Sequence, residues 1–232
     1  MGRVLGMMRS VYLWLLVPVL VLTGCASGTE EVPLQIEVLQ RTRGIIADRT
    51  GPETAPKTLR RAELDPIEDP FIEVTIEDRD QLGYMGISSQ RRDDQPGNVV
   101  VWRSEDNVSL TLRNGVLIAT RGLGGDVISS LVPVSGTTPG PARGGELVHR
   151  IHTGDERLAH VSMACDLVDM GPETIVIVER RHDTRHLQQR CEGAGGQIAN
   201  DYWIDSRAGM VWQSRQWAGP HIGYLTMRQL TP

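Results

Sequence analysis

The sequence is poor in aromatic side chains, has no excess of basic residues and offers no apolar run long enough to cross a membrane. Phe, Trp and Tyr make up 4% of the 232 residues, while 25 glycines and 13 prolines interrupt the chain, which disfavours a bundle of long helices. The net charge of −5 excludes binding to nucleic acid or to an anionic membrane through bulk positive charge. The apolar run at residues 11–22 would reach about 18 Å as a helix, short of the roughly 30 Å hydrocarbon layer.

The first 24 residues have the pattern of an export signal. Arg3 and Arg9 precede the short apolar run, which ends in small residues. The stretch Leu22-Thr-Gly-Cys25 resembles the lipobox of bacterial lipoproteins, which implies cleavage before Cys25, a diacylglycerol on its sulfur and an acylated amine. Several acyl chains anchor a protein almost permanently. Ala26 stands where an aspartate would retain such a protein in the inner membrane, which favours the outer membrane. The alternative is a plain secretory signal with an incidental cysteine.

The two remaining cysteines predict a disulfide. With Cys25 taken by lipid, Cys165 and Cys191 are left as a pair in an oxidising compartment. Alternating apolar residues before Cys165 place it on the apolar face of a strand. A bridge closing a loop of about 26 residues would contribute about 3–4 kcal/mol. The alternative, a catalytic or metal-bound thiol pair, requires closer spacing or basic surroundings at a helix start.

Hydrophobic periodicity divides the rest of the chain into a tether and a β domain. Residues 25–57 form the tether, in which helical spacing of Leu34, Val38 and Ile45 predicts an amphipathic helix over 34–47. A short helical turn is expected at 58–64. From Phe71 the period is two, and Asn114-Gly115 between alternating runs is a strong hairpin signal. The run 174–179 is apolar on both faces and is expected to be a central strand. Roughly ten strands without intervening helices predict an antiparallel β-barrel or sandwich over 58–232.

Three stretches resemble one family. They are residues 108–126, reading VSLTLRNGVLIATRGLGGD; the Gly171-Pro-Glu-Thr174 stretch; and the C-terminal segments YWID (202–205), GMVWQSRQWAGP (209–220) and GYL (223–225). Together with the lipobox they are similar to the YjbF/GfcB lipoproteins, encoded with exopolysaccharide and group-four capsule genes in Gram-negative bacteria. The resemblance implies a barrel-like domain, outer-membrane attachment on the periplasmic face and a role in making or exporting surface polysaccharide. It implies no catalytic residues.

Other motifs give little support for metal or catalytic sites. His149 and His152, or His182 and His186, could share a zinc only on a helix, because on a strand residues four apart are separated by about 13 Å and residues three apart face opposite ways. The glycine-rich stretch 121–126 lacks the context of a phosphate loop and is read as a turn. No Gly-x-Ser-x-Gly occurs, and the acidic pairs show no sign of burial. No metal, no cofactor and no enzymatic activity are therefore predicted.

The C-terminal aromatics are the candidate contact surface. Five of the eight aromatic residues after position 24 lie in the last 31 residues, where flat rings could pack on sugar rings and arginines could bind hydroxyls or acidic sugars. The competing interpretation, that these rings fill the barrel, is favoured by their large buried area. The candidate glycan or partner contacts are Tyr202, Trp203, Arg215, Trp217 and Tyr224.

Three hypotheses for the function follow. The leading one is a non-enzymatic outer-membrane lipoprotein, held to the membrane by Cys25, that assists exopolysaccharide production or export. Its partners would be surface polysaccharide or other envelope proteins of the same operon, and not nucleic acid. The second is a lipid or lipoprotein carrier with an apolar barrel interior. The third is an envelope hydrolase, which would require a buried carboxylate pair or a His/Asp/Ser cluster in a cleft.

Overall fold

The computed structural model describes residues 59–136, 138–152 and 157–232. Cys25, the predicted helix at 34–47 and Thr58 lie outside these residues. Within them, no helix is long and apolar enough to span a membrane. The elements are α1 (Arg61–Leu64), β1 (Phe71–Ile76), the 3-10 helix η1 (Glu77–Arg79), β2 (Gln81–Arg91), β3 (Val99–Arg103), β4 (Ser109–Arg113), β5 (Val116–Arg121), β6 (Val127–Leu131), β7 (Gly144–His152), β8 (Leu158–Ile177), β9 (Arg180–Gly193), β10 (Gly196–Asp205), β11 (Met210–Trp217) and β12 (Tyr224–Gln229).

The twelve strands form one antiparallel sheet that is nearly closed into a barrel, which confirms the predicted fold class. Its order is β5-β4-β3-β2-β1-β12-β11-β10-β9-β8-β7-β6. Two meanders, β1–β5 and β6–β12, are therefore joined by the ladder between the first and last strands, with Val74 opposite Met227. The ends of the order, β5 and β6, meet through side chains: Thr120 Oγ1 donates to Asp126 Oδ1 (2.8 Å) and accepts from the Val127 N–H (3.0 Å).

Two apolar clusters fill the barrel. Strand alternation places every second residue inside, as with Ile72, Val74 and Ile76 of β1, each at most 5% exposed. The first cluster is built mainly on β1–β5 and β12 and includes Trp102. The second is built mainly on β7–β11 and contains Tyr202 together with the disulfide. Cys165 and Cys191 lie directly opposite each other on β8 and β9, both buried, and are bonded as predicted.

A third apolar cluster lies on the outer face of the sheet. Phe71 belongs to it and points away from Ile72 and its inward neighbours on β1. The far half of the β8–β9 hairpin supplies Ile175 and Ile177, which pack there with Leu64 of α1. The hairpin changes face at a register shift between Asp169 and Gly171, where a glycine with φ +102° accommodates the irregular backbone.

The expectation of a central strand at 174–179 is wrong. This run is the tip of the β8–β9 hairpin, and β9 is its only sheet neighbour among the described strands. Ile175 and Ile177 are 8% and 0% exposed, whereas Val176 between them is 55% exposed. One face is thus covered, by the outer cluster, and the other is open to solvent.

Candidate functional site

Tyr202 lies entirely inside the barrel. It is 0% exposed, and its hydroxyl donates to Gln216 Oε1 at 3.0 Å. Burial raises the pKa of Tyr202 far above the usual range of a phenol. It therefore offers no surface to a ligand.

Gln216 binds across the barrel interior to the edge strand β5. Its Oε1 accepts from the Leu117 N–H at 2.8 Å as well as from Tyr202, and its Nε2 donates to Gly115 O (2.8 Å) and Ser214 Oγ (2.9 Å). Both hydrogens and both acceptor positions of the amide are used. The Trp212-Gln-Ser-Arg-Gln-Trp217 stretch thus holds β11 against β5.

Arg215 and Tyr224 pair with each other and with η1. The guanidinium lies 3.6 Å over the Tyr224 ring and donates from Nε and Nη2 to both oxygens of Glu77, at 2.8–3.0 Å. Thr226 also donates to this carboxylate. Burial opposes ionisation of Glu77, but hydrogen bonds from Arg215 and Thr226 prevail and lower its pKa. The Nε and Nη2 groups of Arg215 are therefore engaged by Glu77.

The tryptophans on the outer face stack on histidines of the β8–β9 hairpin. His186 lies parallel to Trp203, with ring centroids 4.6 Å apart, and its Nε2 is 2.8 Å from Asp201 Oδ1. His182 lies 3.8 Å from the Trp212 ring, and burial lowers the pKa of this histidine. The buried indole Nε1 atoms of both tryptophans have no hydrogen-bond partner within the described residues. The faces expected to contact a glycan are at least partly covered by imidazole rings.

Trp217 and His149 form a further ring contact, next to the second cluster. Their ring centroids are 5.9 Å apart, and Trp217 is partly buried against the second cluster. Ser130 Oγ contacts His149 Nδ1, and burial lowers the pKa of His149 to about 4. In the part of the chain that the structure describes, no group of three or more His, Cys, Asp or Glu residues is placed to hold a metal.

The glycine-rich stretch is a turn closed by its own carboxylate. Asp126 accepts from the Gly122 N–H at 2.9 Å and from the Leu123 N–H at 3.1 Å. Two of the backbone donors that could bind an anion are thus already bonded to Asp126.

A cavity of about 370 Å³ opens at the end of the barrel where β2 ends and β3 begins. Its lining combines apolar side chains, among them Val100, Trp102 and Leu112, with polar ones, among them Gln90, Arg92 and Asn98. These residues come from three different strands and their connections, so no local motif marks them. A second cavity of about 280 Å³ adjoins it and shares Arg92 and Asn98.

Asn114 holds the cavity wall together. Asn114 and Gly115 have φ of +50° and +84°, as the predicted hairpin turn requires. The Asn114 N–H donates to Asn98 O (2.9 Å), and its Oδ1 accepts from the Asn98 N–H (3.0 Å). Its Nδ2 donates to the carbonyls of Ser135 and Thr138, in the loop after β6. One side chain therefore ties β4 to two other connections around the opening.

The arginines near the cavity differ in their partners. Arg113 makes two hydrogen bonds to Asp93, at 2.6 and 2.8 Å, and lowers the pKa of that carboxyl to about 2. Arg228 is paired with Glu73. Arg92 bonds only to Asn98 Oδ1, at 2.6 Å, among the described residues. Of these three arginines, Arg92 is thus the one whose charge is not paired with a carboxylate.

Comparisons with known proteins assign the family. The model of the family "Group 4 capsule polysaccharide lipoprotein gfcB, YjbF" matches residues 36–230. The crystal structure of the hypothetical lipoprotein YmcC from Escherichia coli (K12) has the same fold, with a TM-score of 0.64 and 18% identity over 85% of this chain and 95% of that one. No curated protein matches the chain in sequence. The match covers most of the chain, and the protein therefore belongs to the YjbF family of group 4 capsule polysaccharide lipoproteins.

Proposed function

We propose that this protein is a non-enzymatic lipoprotein of the outer membrane, anchored through Cys25, whose barrel lies in the periplasm and assists the production or export of a surface polysaccharide. The observation that carries the proposal is the family match over residues 36–230. The lipobox-like Leu22-Thr-Gly-Cys25 stretch supports the anchor, and Ala26 supports the outer membrane as its destination.

The packing of the barrel argues against the lipid-carrier hypothesis. The interior is filled by side chains that are fully buried, among them Leu110, Ile151, Tyr202 and Leu225. Gln216 crosses it, and its side-chain amide is fully hydrogen-bonded. An acyl chain would have to displace these side chains and break these hydrogen bonds, at a cost of about 1–3 kcal/mol for each buried polar group left unpaired. The remaining cavity at the barrel end is lined in part by charged and amide side chains.

The hydrolase hypothesis also gains no support. In the described part of the chain, the Ser130 hydroxyl contacts the His149 ring, but no carboxylate there pairs with this histidine. Its partners are a hydroxyl and an indole ring, which do not form the acid-oriented base of a hydrolytic triad.

The test is a gene deletion complemented with three versions of the full chain. The deletion is expected to lower surface polysaccharide, and the wild-type chain to restore it from the outer-membrane fraction. Cys25→Ala removes the lipidation site, so this chain should lose the anchor and fail to restore the polymer. Ala26→Asp keeps the anchor but should retain the protein in the inner membrane, which separates anchoring from destination.

Two results would contradict the proposal. One is a deletion strain with unchanged surface polysaccharide. The other is a wild-type chain that fractionates as a soluble species without lipid mass.

A further inference from the structure

We propose that the cavity at the barrel end binds a short acidic oligosaccharide segment, with a glycan carboxylate on Arg92 and a sugar ring against Val100 and Leu112. The inference rests on the proposed function for the class of polymer. Its site and its charge preference come from the structure.

The size of the cavity suits a segment of a polymer. A volume of about 370 Å³ lies at the lower end of the 300–1,000 Å³ range typical of small-molecule pockets. The adjoining cavity of about 280 Å³ shares Arg92 and Asn98 with it. An oligosaccharide can therefore occupy the first cavity and continue past Arg92 into the second. A single monosaccharide would occupy only one of the two.

The lining offers both kinds of contact that a sugar ring makes, apolar and hydrogen-bonding. Val100 and Leu112 pair across β3 and β4 and are both partly exposed, next to the buried Trp102. They offer an apolar surface to the C–H face of a pyranose. Gln90 lies beside Val100 in the ladder of β2 with β3, and its side chain has no hydrogen-bond partner among the described residues. Asn98 uses its Oδ1 to accept from Arg92, which leaves its Nδ2 to donate to a hydroxyl.

The charge pattern selects an acidic sugar. Asp93 and Glu73 neutralise Arg113 and Arg228, so neither arginine presents a net charge to a ligand. Arg92 lines both cavities, is exposed and has an asparagine oxygen as its partner within the described chain. Its Nη atoms are arranged to bind a carboxylate through two parallel hydrogen bonds. A neutral glycan would leave this guanidinium without a carboxylate partner.

The test measures binding of glycan fragments to the purified, lipidated full chain in detergent. The fragments are prepared by partial hydrolysis of the strain's own surface polysaccharide, and half of the preparation is carboxyl-reduced to remove its charge. Native fragments are expected to bind in calorimetric titrations, with an affinity that falls as salt is added. Arg92→Gln is expected to lower that affinity roughly tenfold or more, the loss typical of a charge-assisted hydrogen bond.

Matched variants and probes locate the interaction. Arg103→Gln removes an exposed arginine at the end of β3 that lines neither cavity, and should bind like wild type. Val100→Phe should block the apolar lining and abolish binding. The losses of affinity caused by carboxyl reduction and by Arg92→Gln should not add, because each change removes one partner of the same contact. Equal binding of native and reduced fragments, equal binding by Arg92→Gln, or a polymer without acidic sugars would overturn the inference.

The outcomes separate this inference from the proposed function. If the deletion strain loses its surface polysaccharide but Arg92→Gln restores it fully and no fragment binds, the cavity has no glycan role and the proposed function stands. If fragments bind through Arg92 but the deletion leaves the polysaccharide unchanged, the site exists and the proposed function is wrong.

Discussion

Gln216 links the C-terminal strands to the edge of the barrel through a single amide. Its four hydrogen bonds reach Leu117, Gly115, Tyr202 and Ser214. At 2% exposure it has no water to replace a lost partner. The sequence marked this stretch through its resemblance to a family, but could not tell that Ser214 and Gln216 face inward.

Gln216→Glu is expected to lower the free energy of unfolding by about 3 kcal/mol. The carboxylate cannot donate to Gly115 O or Ser214 Oγ, and it places a charge in a buried site. Urea unfolding followed by circular dichroism measures the change. Gln213→Glu is the matched control, since Gln213 is partly exposed on the opposite face of β11, and its effect should stay within about 0.5 kcal/mol. Equal losses of stability in the two variants would show that the hydrogen bonds from Gln216 to Gly115 and Leu117 do not stabilise the fold.

His149 makes the folded state sensitive to acid. Burial lowers its pKa from 6.5 to about 4, so between these values the unfolded chain is protonated at this residue while the folded chain is not. The unfolded state then binds more protons, and stability falls as the pH falls through this window. Lowering the pH from about 7 to about 5 should cost about 2 kcal/mol from this group.

Unfolding free energies measured across this pH range test the effect. His149→Gln should flatten the profile. His160→Gln, at an exposed position of β8, should leave it as in wild type. A profile unchanged by His149→Gln would assign the acid sensitivity to other groups.

Among the elements, the β8–β9 hairpin departs furthest from what its sequence indicates. An apolar run at 174–179 normally marks a strand buried on both faces. Here the run is buried on one face only. Ile175 and Ile177 pack on the outside of the barrel, against Phe71, Leu230 and Leu64. The polar strand β9 lacks the alternating pattern, because the buried Gln189 lies among polar and charged neighbours.

Ile177→Ala is expected to destabilise the protein by about 3 kcal/mol, because it removes a fully buried side chain from the outer cluster. Val176→Ala should change stability by less than about 0.5 kcal/mol, since Val176 is 55% exposed. Both variants lie in the same hairpin tip, and thermal unfolding compares them directly. Similar losses at both positions would favour the central strand that the sequence pattern indicates.

Local signals predicted other elements correctly. The Asn114-Gly115 turn, the alternation of β1 and the pairing of Cys165 with Cys191 all depend on short-range patterns or on elimination. Strands β2 and β6 carry no such signal, because their exposed and polar residues break the alternation. Register shifts, such as the one between Asp169 and Gly171, also reverse which residues face inward without a signal in the periodicity.

At the scale of the whole molecule, the sequence predicted the class of fold but not the cavity. The cavity walls come from β2, β3, β4 and the β10–β11 turn, which the curvature of the sheet brings together. Pairing between strands distant along the chain has no local signature, so neither the ladder of β1 with β12 nor the site that it helps to enclose could be derived. Of the aromatic residues that suggested a surface, Tyr202 is instead buried inside the barrel.

The ladder between β1 and β12 places the two ends of the folded domain side by side. Leu230 bonds through its N–H to Phe71 O, at 2.8 Å, and the Thr231 hydroxyl accepts from the Phe71 N–H at the same distance. Joining these ends and opening the chain between β5 and β6 would give strands that run β6 to β12 and then β1 to β5, each beside the next. The fold is thus a circular permutant of a plain up-and-down barrel, in which the first and last strands of the domain pair in the middle of the sheet and its open edges are β5 and β6.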